Sequence, residues 1–420
     1  MARYFLPAYL EITRRKNPAC EGGFFYIRNR LNGAEVQIDD PEEIREFERI
    51  LKRKYVVKKT PLVNQLIDQD CLVDAAYNRR MAKELLEQEE KTLFITILPT
   101  EGCNFRCPYC YENHPSGIMS EETIERCKRF ITGLIAEHEF NVFQLSWFGG
   151  EPTLCLDLVL SFTTWCRNIA SEHGIDFRTA MVTNGYLLTL ENLERLLAVG
   201  VNNFQVTIDG FNHDRTRFLA GGQGTLKRIL KNISDIAHSE IGGYEILIRR
   251  NLLPGDTDTS WYSFMKTVVG DNPCFVFSVI PVAHLGGPHD EEFEVLSSTD
   301  NLLNEHEKAI LGAGLKLDAQ TTEFYPAGGI CYASHPYGFV IRENGDLNKC
   351  TIALRSDFNR VGSLGTGIDA SKNSVWSGDA LKPKCFNCPM CLVCMNRCCP
   401  LRRELCDRKI YCYSNDTHYL

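Results

Sequence analysis

No stretch of this chain stays apolar long enough to cross a membrane, although 44% of its 420 residues are hydrophobic. The N-terminus, MARYFLPAYLEITRRK, carries an apolar patch too short for a signal-peptide core and lacks a small-residue cleavage site, so a cytoplasmic location is expected. Internal repeats and low-complexity tracts are missing as well, which excludes repeat arrays and disordered scaffolds. A basic face is also absent. Lys and Arg number 46 against 54 Asp and Glu, giving a net charge of -8, and the cations are interspersed with acids; a surface for nucleic-acid phosphates is therefore not expected. Neither a Ser-His-Asp order nor paired carboxylates stand out. A chain of this size and composition can bury a large core, divided among two or three domains.

Cysteine, by contrast, is abundant: 19 residues. In a reducing compartment a disulfide framework is disfavoured, which leaves metal. The distribution supports metal. Cys20, Cys71, Cys127, Cys155, Cys166 and Cys274 are scattered singly and read as small buried hydrophobes, whereas ten cysteines crowd into residues 331–412. Three more fall within eight positions, in PTEGCNFRCPYCYENH.

From residue 93 onward, strand and helix patterns alternate. Apolar, β-branched runs at 93–98, 142–148, 177–182, 203–208, 244–248 and 274–280 predict strands, and amphipathic stretches such as SEETIERCKRFITGLIAEHEF and LTLENLERLLAVG predict the helices between them. Six βα units imply an α/β fold with a parallel sheet curved into a partial (β/α)6 TIM-like barrel, whose site lies at the C-terminal ends of the strands. The cysteine triplet follows the first strand, WFGGEPT the second, VTNG the third and TIDG the fourth. Four unusual loops thus converge on one face.

Cys103, Cys107 and Cys110 form Cys-x3-Cys-x2-Cys, enough for three corners of a 4Fe-4S cubane with one iron left open. A zinc site wants a fourth ligand, and neither His114 nor another nearby residue stands at the usual interval. The pattern resembles the radical S-adenosylmethionine (SAM) enzymes, and the likeness runs from about Thr92 to the C-terminus. The resemblance implies that the open iron chelates the methionine part of SAM and that reductive cleavage yields a 5'-deoxyadenosyl radical, which abstracts hydrogen from substrate. It also implies cofactor contacts. Tyr109, before the third cysteine, would turn its backbone to the adenine. Gly149, Gly150, Glu151 and Pro152 match the segment that binds the methionine ammonium. Asn184 and Thr207 stand at strand ends that resemble ribose and carboxylate contacts. His213, Asp214 and Arg217 continue an HDxxR pattern in which Arg217 would pair with the methionine carboxylate. No catalytic residue beyond these is assigned.

After the barrel, CYASHPYGFVIRENGDLNKC predicts a hairpin turning at Asn344-Gly345 and bracketed by Cys331 and Cys350. Cys385, Cys388, Cys394, Cys398 and Cys412 follow, and the series closely resembles the SPASM extension, which implies two auxiliary 4Fe-4S clusters and three in all. By that resemblance Cys331, Cys350 and Cys398 hold the first auxiliary cluster with one iron open, and Cys385, Cys388, Cys394 and Cys412 close the second. A pair of zinc ribbons is the competing reading, because Cys385/Cys388 and Cys391/Cys394 are also Cys-x2-Cys pairs.

The first 90 residues predict three short strands, an amphipathic helix and a helix-turn-strand, a small α+β outline of winged type. It resembles the peptide-recognition elements of maturases of ribosomally made peptides, in which a leader adds a strand to an open sheet edge. A scaffold that only packs on the barrel is the alternative. The helix over 75–91 is expected to be a solvated connector, and residues 281–298 a substrate-covering loop or a linker. Expected domains are thus 1–85 for leader binding, 86–310 for the barrel and 311–420 for the auxiliary clusters. The function implied is a radical SAM maturase that crosslinks a precursor peptide, foremost through a Cys thioether, with flavodoxin or ferredoxin as electron donor. Carbon-carbon crosslinking, formylglycine formation and a non-catalytic electron relay remain as alternatives. Three cubanes require about twelve iron atoms per chain. Serine in place of Cys391, Cys399 or Cys406, one at a time, should leave that content unchanged in iron and sulfide analysis; a lost cluster would place the substituted thiol at the vacant corner.

Overall fold

Alternation of apolar and polar residues in the first 40 positions builds an antiparallel sheet of β1 (Leu10–Asn17), β2 (Cys20–Asn29) and β3 (Glu35–Ile38), in the order β1-β2-β3. The computed structural model describes residues 3–17, 20–53, 55–296, 301–318, 331–354, 356–377 and 381–395. These form two compact units, the first drawn from Met1–Glu89, Glu323–His335 and Ser374–Leu420, the second from Glu90–Thr322 and Pro336–Asn373.

In the first unit, Gly33 turns the chain between β2 and β3 at φ +75°, where a side chain would be strained. Helices α1 (Pro41–Arg53) and α2 (Pro61–Asp68) cover the sheet. Thr60 caps α2, accepting from the Val63 amide at 3.2 Å. Phe25, Ile27, Val36, Ile38, Phe47, Ile50 and Leu62 share one core, with the Phe25 and Phe47 rings edge to face at 5.1 Å. Helix α3 (Ala75–Glu90) departs from the solvated connector that its charge suggests. Its Ala82 and Leu85 are buried together with Tyr9, Cys391, Leu392 and Met395, and Asn78 Nδ2 donates to the carbonyls of Phe386 (3.0 Å) and Cys388 (3.3 Å). A narrow stripe of Asn78, Ala82, Leu85 and Glu89 is buried, while most of the charges stay outside it.

The second unit is built on β4 (Thr92–Ile97), β5 (Val142–Trp147), β6 (Asp176–Thr183), β7 (Asn203–Thr207), β8 (Glu245–Leu252) and β9 (Phe275–Pro281), each paired in parallel with the next. Helices α4 (Glu121–Glu137), α5 (Leu156–Glu172), α6 (Leu190–Val199), the single turn α7 (His213–Thr216), α8 (Leu226–Ala237) and α9 (Ser260–Val269) connect them. This is a partial TIM-like barrel, with the strand positions expected from the apolar runs. Ser120 and Thr189 cap α4 and α6 through the amides of Thr123 and Asn192, both at 3.2 Å. Helix α10 (Leu302–Gly312) and β10 (Lys316–Leu317) extend the β9 edge. At the other edge β11 (Gly338–Ile341) pairs in parallel with β4 and turns at Gly345 into β12 (Asp346–Asn348), followed by β13 (Arg360–Ser363) and β14 (Gly367–Ile368). Among the described residues the sheet therefore has 11 strands, and the expected Asn-Gly hairpin is part of it. No helix among the described residues is long and apolar enough to cross a membrane.

Of the scattered cysteines, Cys71, Cys127, Cys155 and Cys166 are buried and Cys274 is half-buried. Phe47 is fully buried, so Phe47→Ala should cost about 3–5 kcal/mol in the first unit. Denaturant unfolding followed by circular dichroism should show an early transition in that variant.

Candidate functional site

Cys103, Cys107 and Cys110 stand on the loop after β4, at the C-terminal end of the parallel strands. Backbone bonds pin this loop to the segment after α7: the Arg106 amide donates to Phe218 O (2.9 Å), the Ala220 amide donates to Asn104 O (2.8 Å), and Phe105 bridges Leu219. The thiols lie near enough to feel one another's charge. Burial pushes Cys103 up to about 12, with Glu151 next in effect, and likewise raises Cys107 and Cys110. Such thiols stay protonated until a metal supplies positive charge. Among the described residues no three His, Cys, Asp or Glu side chains already stand in a closed metal-binding geometry. Three thiols on one pinned loop nevertheless suit three corners of a cubane better than a closed tetrahedral site.

The GGEP segment after β5 lies directly on this loop. A Cβ on Gly149, itself at φ +120°, would come 2.3 Å from Thr100 O, and one on Gly150 would come 2.2 Å from Gly102 O. Only glycine permits that approach, which is closed by bonds from Gly150 N to Thr100 O (3.2 Å) and from Glu151 N to Gly102 O (3.0 Å). Pro152 opens a short 3-10 turn. Glu151 is fully buried. Its Oε1 accepts from the Thr153 amide (3.0 Å), the Thr153 hydroxyl and the Thr183 hydroxyl (2.7 Å), and its Oε2 accepts from the Asn184 amide (2.7 Å). Burial raises its pKa while these bonds oppose the rise. Asn184 in turn donates to Asn104 Oδ1 at 2.8 Å and lies 3.9 Å from Cys103 Sγ, tying the end of β6 to the cysteine loop. Thr207, at the end of β7, is buried.

Tyr109 anchors the same loop from the other side. Its hydroxyl donates to Asp209 Oδ2 and accepts from Arg217 Nη1 (3.1 Å) and Asn251 Nδ2 (3.2 Å). Asp209 also accepts from the Thr216 hydroxyl at 2.8 Å. Arg217 lies 5.8 Å over the Phe105 ring, and its Nε is buried with no partner among the described residues, a donor left for an anion. Within the HDxxR segment, His213 accepts from the Asp209 amide at 3.1 Å and is pushed down to about 2 by burial and Arg217, so it stays neutral. Asp214 caps α8 through the amides of Thr225 (2.7 Å) and Leu226 (2.8 Å).

Sequence reading missed Asp209, Arg249 and Asn251, although each is a polar residue at the end of an apolar strand. It also missed Glu112. That carboxyl lines a cavity of about 580 Å³ together with Cys107, Cys110, His114 and His289, and its Oε2 has no hydrogen-bond partner among the described residues. A bidentate pair between Glu101 and Arg342 (2.7 and 2.6 Å) lies nearby.

Of the auxiliary-cluster candidates, Cys350 is buried two residues past β12 in the second unit, and Cys331 is exposed in the first. Cys385 and Cys388 are half-buried on the segment packed against α3, and Cys394 belongs to the helical turn Cys391–Cys394. Cys398 and Cys412 lie outside the described residues, as do Cys399 and Cys406.

Residues 97–268 match the radical SAM superfamily. A GTP 3',8-cyclase of Tolumonas auensis is 28% identical over 174 residues, which is 41% of this chain and 48% of that protein. A Listeria monocytogenes GTP 3',8-cyclase is 22% identical over 213 residues, 50% of this chain and 61% of its own length. The chain thus spans about half, at most about three fifths, of these curated relatives. The solved structure of Streptococcus suis SuiB bound to precursor peptide SuiA is similar in fold, with a TM-score of 0.54, 13% identity and 97% of each chain covered. The chain carries a radical SAM domain and is an enzyme, and the domain implies a 4Fe-4S cluster and SAM.

Burial, followed by Glu101, pushes the Glu112 carboxyl up from 4.5 to about 8. A raised acid favours the folded state while protonated, so its contribution is full below 4.5 and is lost as pH rises through about 8. Thermal melts of the metal-free chain across that window should show the decline, and Glu112→Gln should flatten it.

Proposed function

We propose that this enzyme abstracts hydrogen from a ribosomally made precursor peptide and installs a side-chain crosslink, most simply a Cys thioether. The observation that carries the reading is the pairing of a radical SAM loop, Cys103, Cys107 and Cys110, with a second cysteine series of SPASM spacing at Cys331, Cys350, Cys385, Cys388, Cys394, Cys398 and Cys412. Seven cysteines are one short of the eight corners of two cubanes. An open corner suits a substrate thiolate, since coordination lowers a thiol's pKa.

When bound, the clusters and SAM supply a hydrogen-abstracting radical and take up the electron left over as sulfur joins carbon. The chain's own residues hold and orient. Gly149 and Gly150 bring bare backbone to the cofactor side of the loop, Glu151 fixes Asn184, and Arg217 offers its unpartnered Nε to the methionine carboxylate. The thiol proton and the abstracted hydrogen are the two hydrogens lost per crosslink.

The first unit supports the peptide partner. Among the described residues its sheet has three strands, with β1 and β3 at the edges and backbone groups of the kind an extended leader can pair with. SuiB, bound to its precursor peptide, has a similar fold over nearly the full length. Domains of 1–85, 86–310 and 311–420, with a flavodoxin or ferredoxin donor, complete the proposal.

Anaerobic incubation with Cys-containing precursor peptides, followed by mass measurement, tests it. Loss of two hydrogens per event supports a crosslink, whereas a mass change to an aldehyde would point to formylglycine chemistry. Removal of residues 1–85 should abolish processing of a precursor bearing its leader while SAM cleavage continues; equal processing by the truncated enzyme would make that unit a scaffold.

A further inference from the structure

Arg249 and Arg250 are neighbours on β8 and therefore face opposite sides of the sheet. Arg250 is buried on the helix side, its guanidinium 5.7 Å from the centre of the Tyr262 ring and its Nη1 donating to Asp258 O at 2.9 Å. Arg249 faces the barrel interior, where its charge acts on Tyr111, Tyr109, Arg217 and Asp209. Its Nε is fixed on Asn251 Oδ1 at 3.0 Å. Neither terminal nitrogen has a hydrogen-bond partner among the described residues, and neither is sealed from the surroundings.

Arg217 and Arg249 face one carboxylate, Asp209, which already serves Tyr109 and Thr216. In register across the sheet, Arg249 is flanked by Thr207 on β7 and Ser278 on β9. The Ser278 hydroxyl is buried and has no hydrogen-bond partner among the described residues. The buried Ser278 donor without an acceptor is costly, and the terminal nitrogens of Arg249, open beside it, are donors that an anion can take.

We infer that Arg249, with Ser278 beside it, forms a binding site for a carboxylate of the substrate, distinct from the anion position offered by Arg217. The planar guanidinium presents two parallel donors to the two oxygens, and Ser278 donates from the adjacent strand. An Asp, Glu or C-terminal carboxylate of a bound peptide would thereby be fixed at the strand ends, beside the cysteine loop. The peptide source rests on the function proposed above; the anion site itself rests on the geometry of β8 and β9.

The test uses the full chain, reconstituted with iron and sulfide and saturated with SAM. Calorimetric titration with N-acetylglutamate amide and with the uncharged N-acetylglutamine amide should show the acid binding about tenfold or more tightly. Arg249→Gln should abolish that preference, Arg249→Lys should retain part of it, and Ser278→Ala should weaken it. Equal affinity for the two probes, no saturable binding of the acid, or an unchanged preference in Arg249→Gln would each overturn the inference. The unsubstituted protein alone decides the first two, so a misfolded variant does not obscure the result. Failure of precursor processing would count against the peptide reading and leave the carboxylate site standing.

Discussion

A carboxylate with no access to water must be met by hydrogen bonds, and Glu151 is where that requirement organises the molecule. Its two oxygens take four hydrogen bonds, from its own turn and from the end of β6. Its backbone amide simultaneously holds the cysteine loop through Gly102. Three consecutive strands, β4, β5 and β6, are thus locked at their C-terminal ends around one side chain. The glycines before it are the corollary. Any side chain at 150 would meet backbone oxygens at 2.2 and 2.5 Å, so the loop and the strand end could not approach.

Asp209 plays the matching part on the far side, where Tyr109, Thr216 and Asn251 gather on its carboxylate or on the phenol it holds. The cysteine loop is consequently clamped from both flanks before any cluster is considered. A loop held this way keeps its thiols on one side while they are still protonated, and metal binding then exchanges protons for iron without a large change in backbone entropy. The same clamp leaves Arg217 Nε and the ends of Arg249 without partners among the described residues.

Much of this was legible in the sequence. β-branched runs located the six barrel strands because a parallel sheet covered on both faces has continuous apolar strands, and the short motifs fell at strand ends because the topology puts them there. What escaped was what depends on distant partners. Asp209 and Tyr109 are 100 residues apart, and Asn251 and Tyr109 are 142 apart, so no local pattern joins them. Helix α3 looked solvated because its charges outnumber the few residues, Ala82 and Leu85 among them, that pack against Leu392. The run of β11 alongside β4 was equally hidden, since strand pairing across more than 240 residues leaves no trace in periodicity. Spacing made the auxiliary cysteines conspicuous, yet Cys398 and Cys412 lie outside the described residues, and their pairing rests on resemblance.

Formation of 5'-deoxyadenosine from SAM under dithionite is the most direct measurement of the central claim. The reconstituted, reduced enzyme should produce it, and a variant with Cys103, Cys107 and Cys110 all replaced by alanine should produce none while keeping the iron of the other clusters. Undiminished SAM cleavage by that triple variant would contradict the assignment of the cysteine loop and, with it, the radical chemistry built upon it.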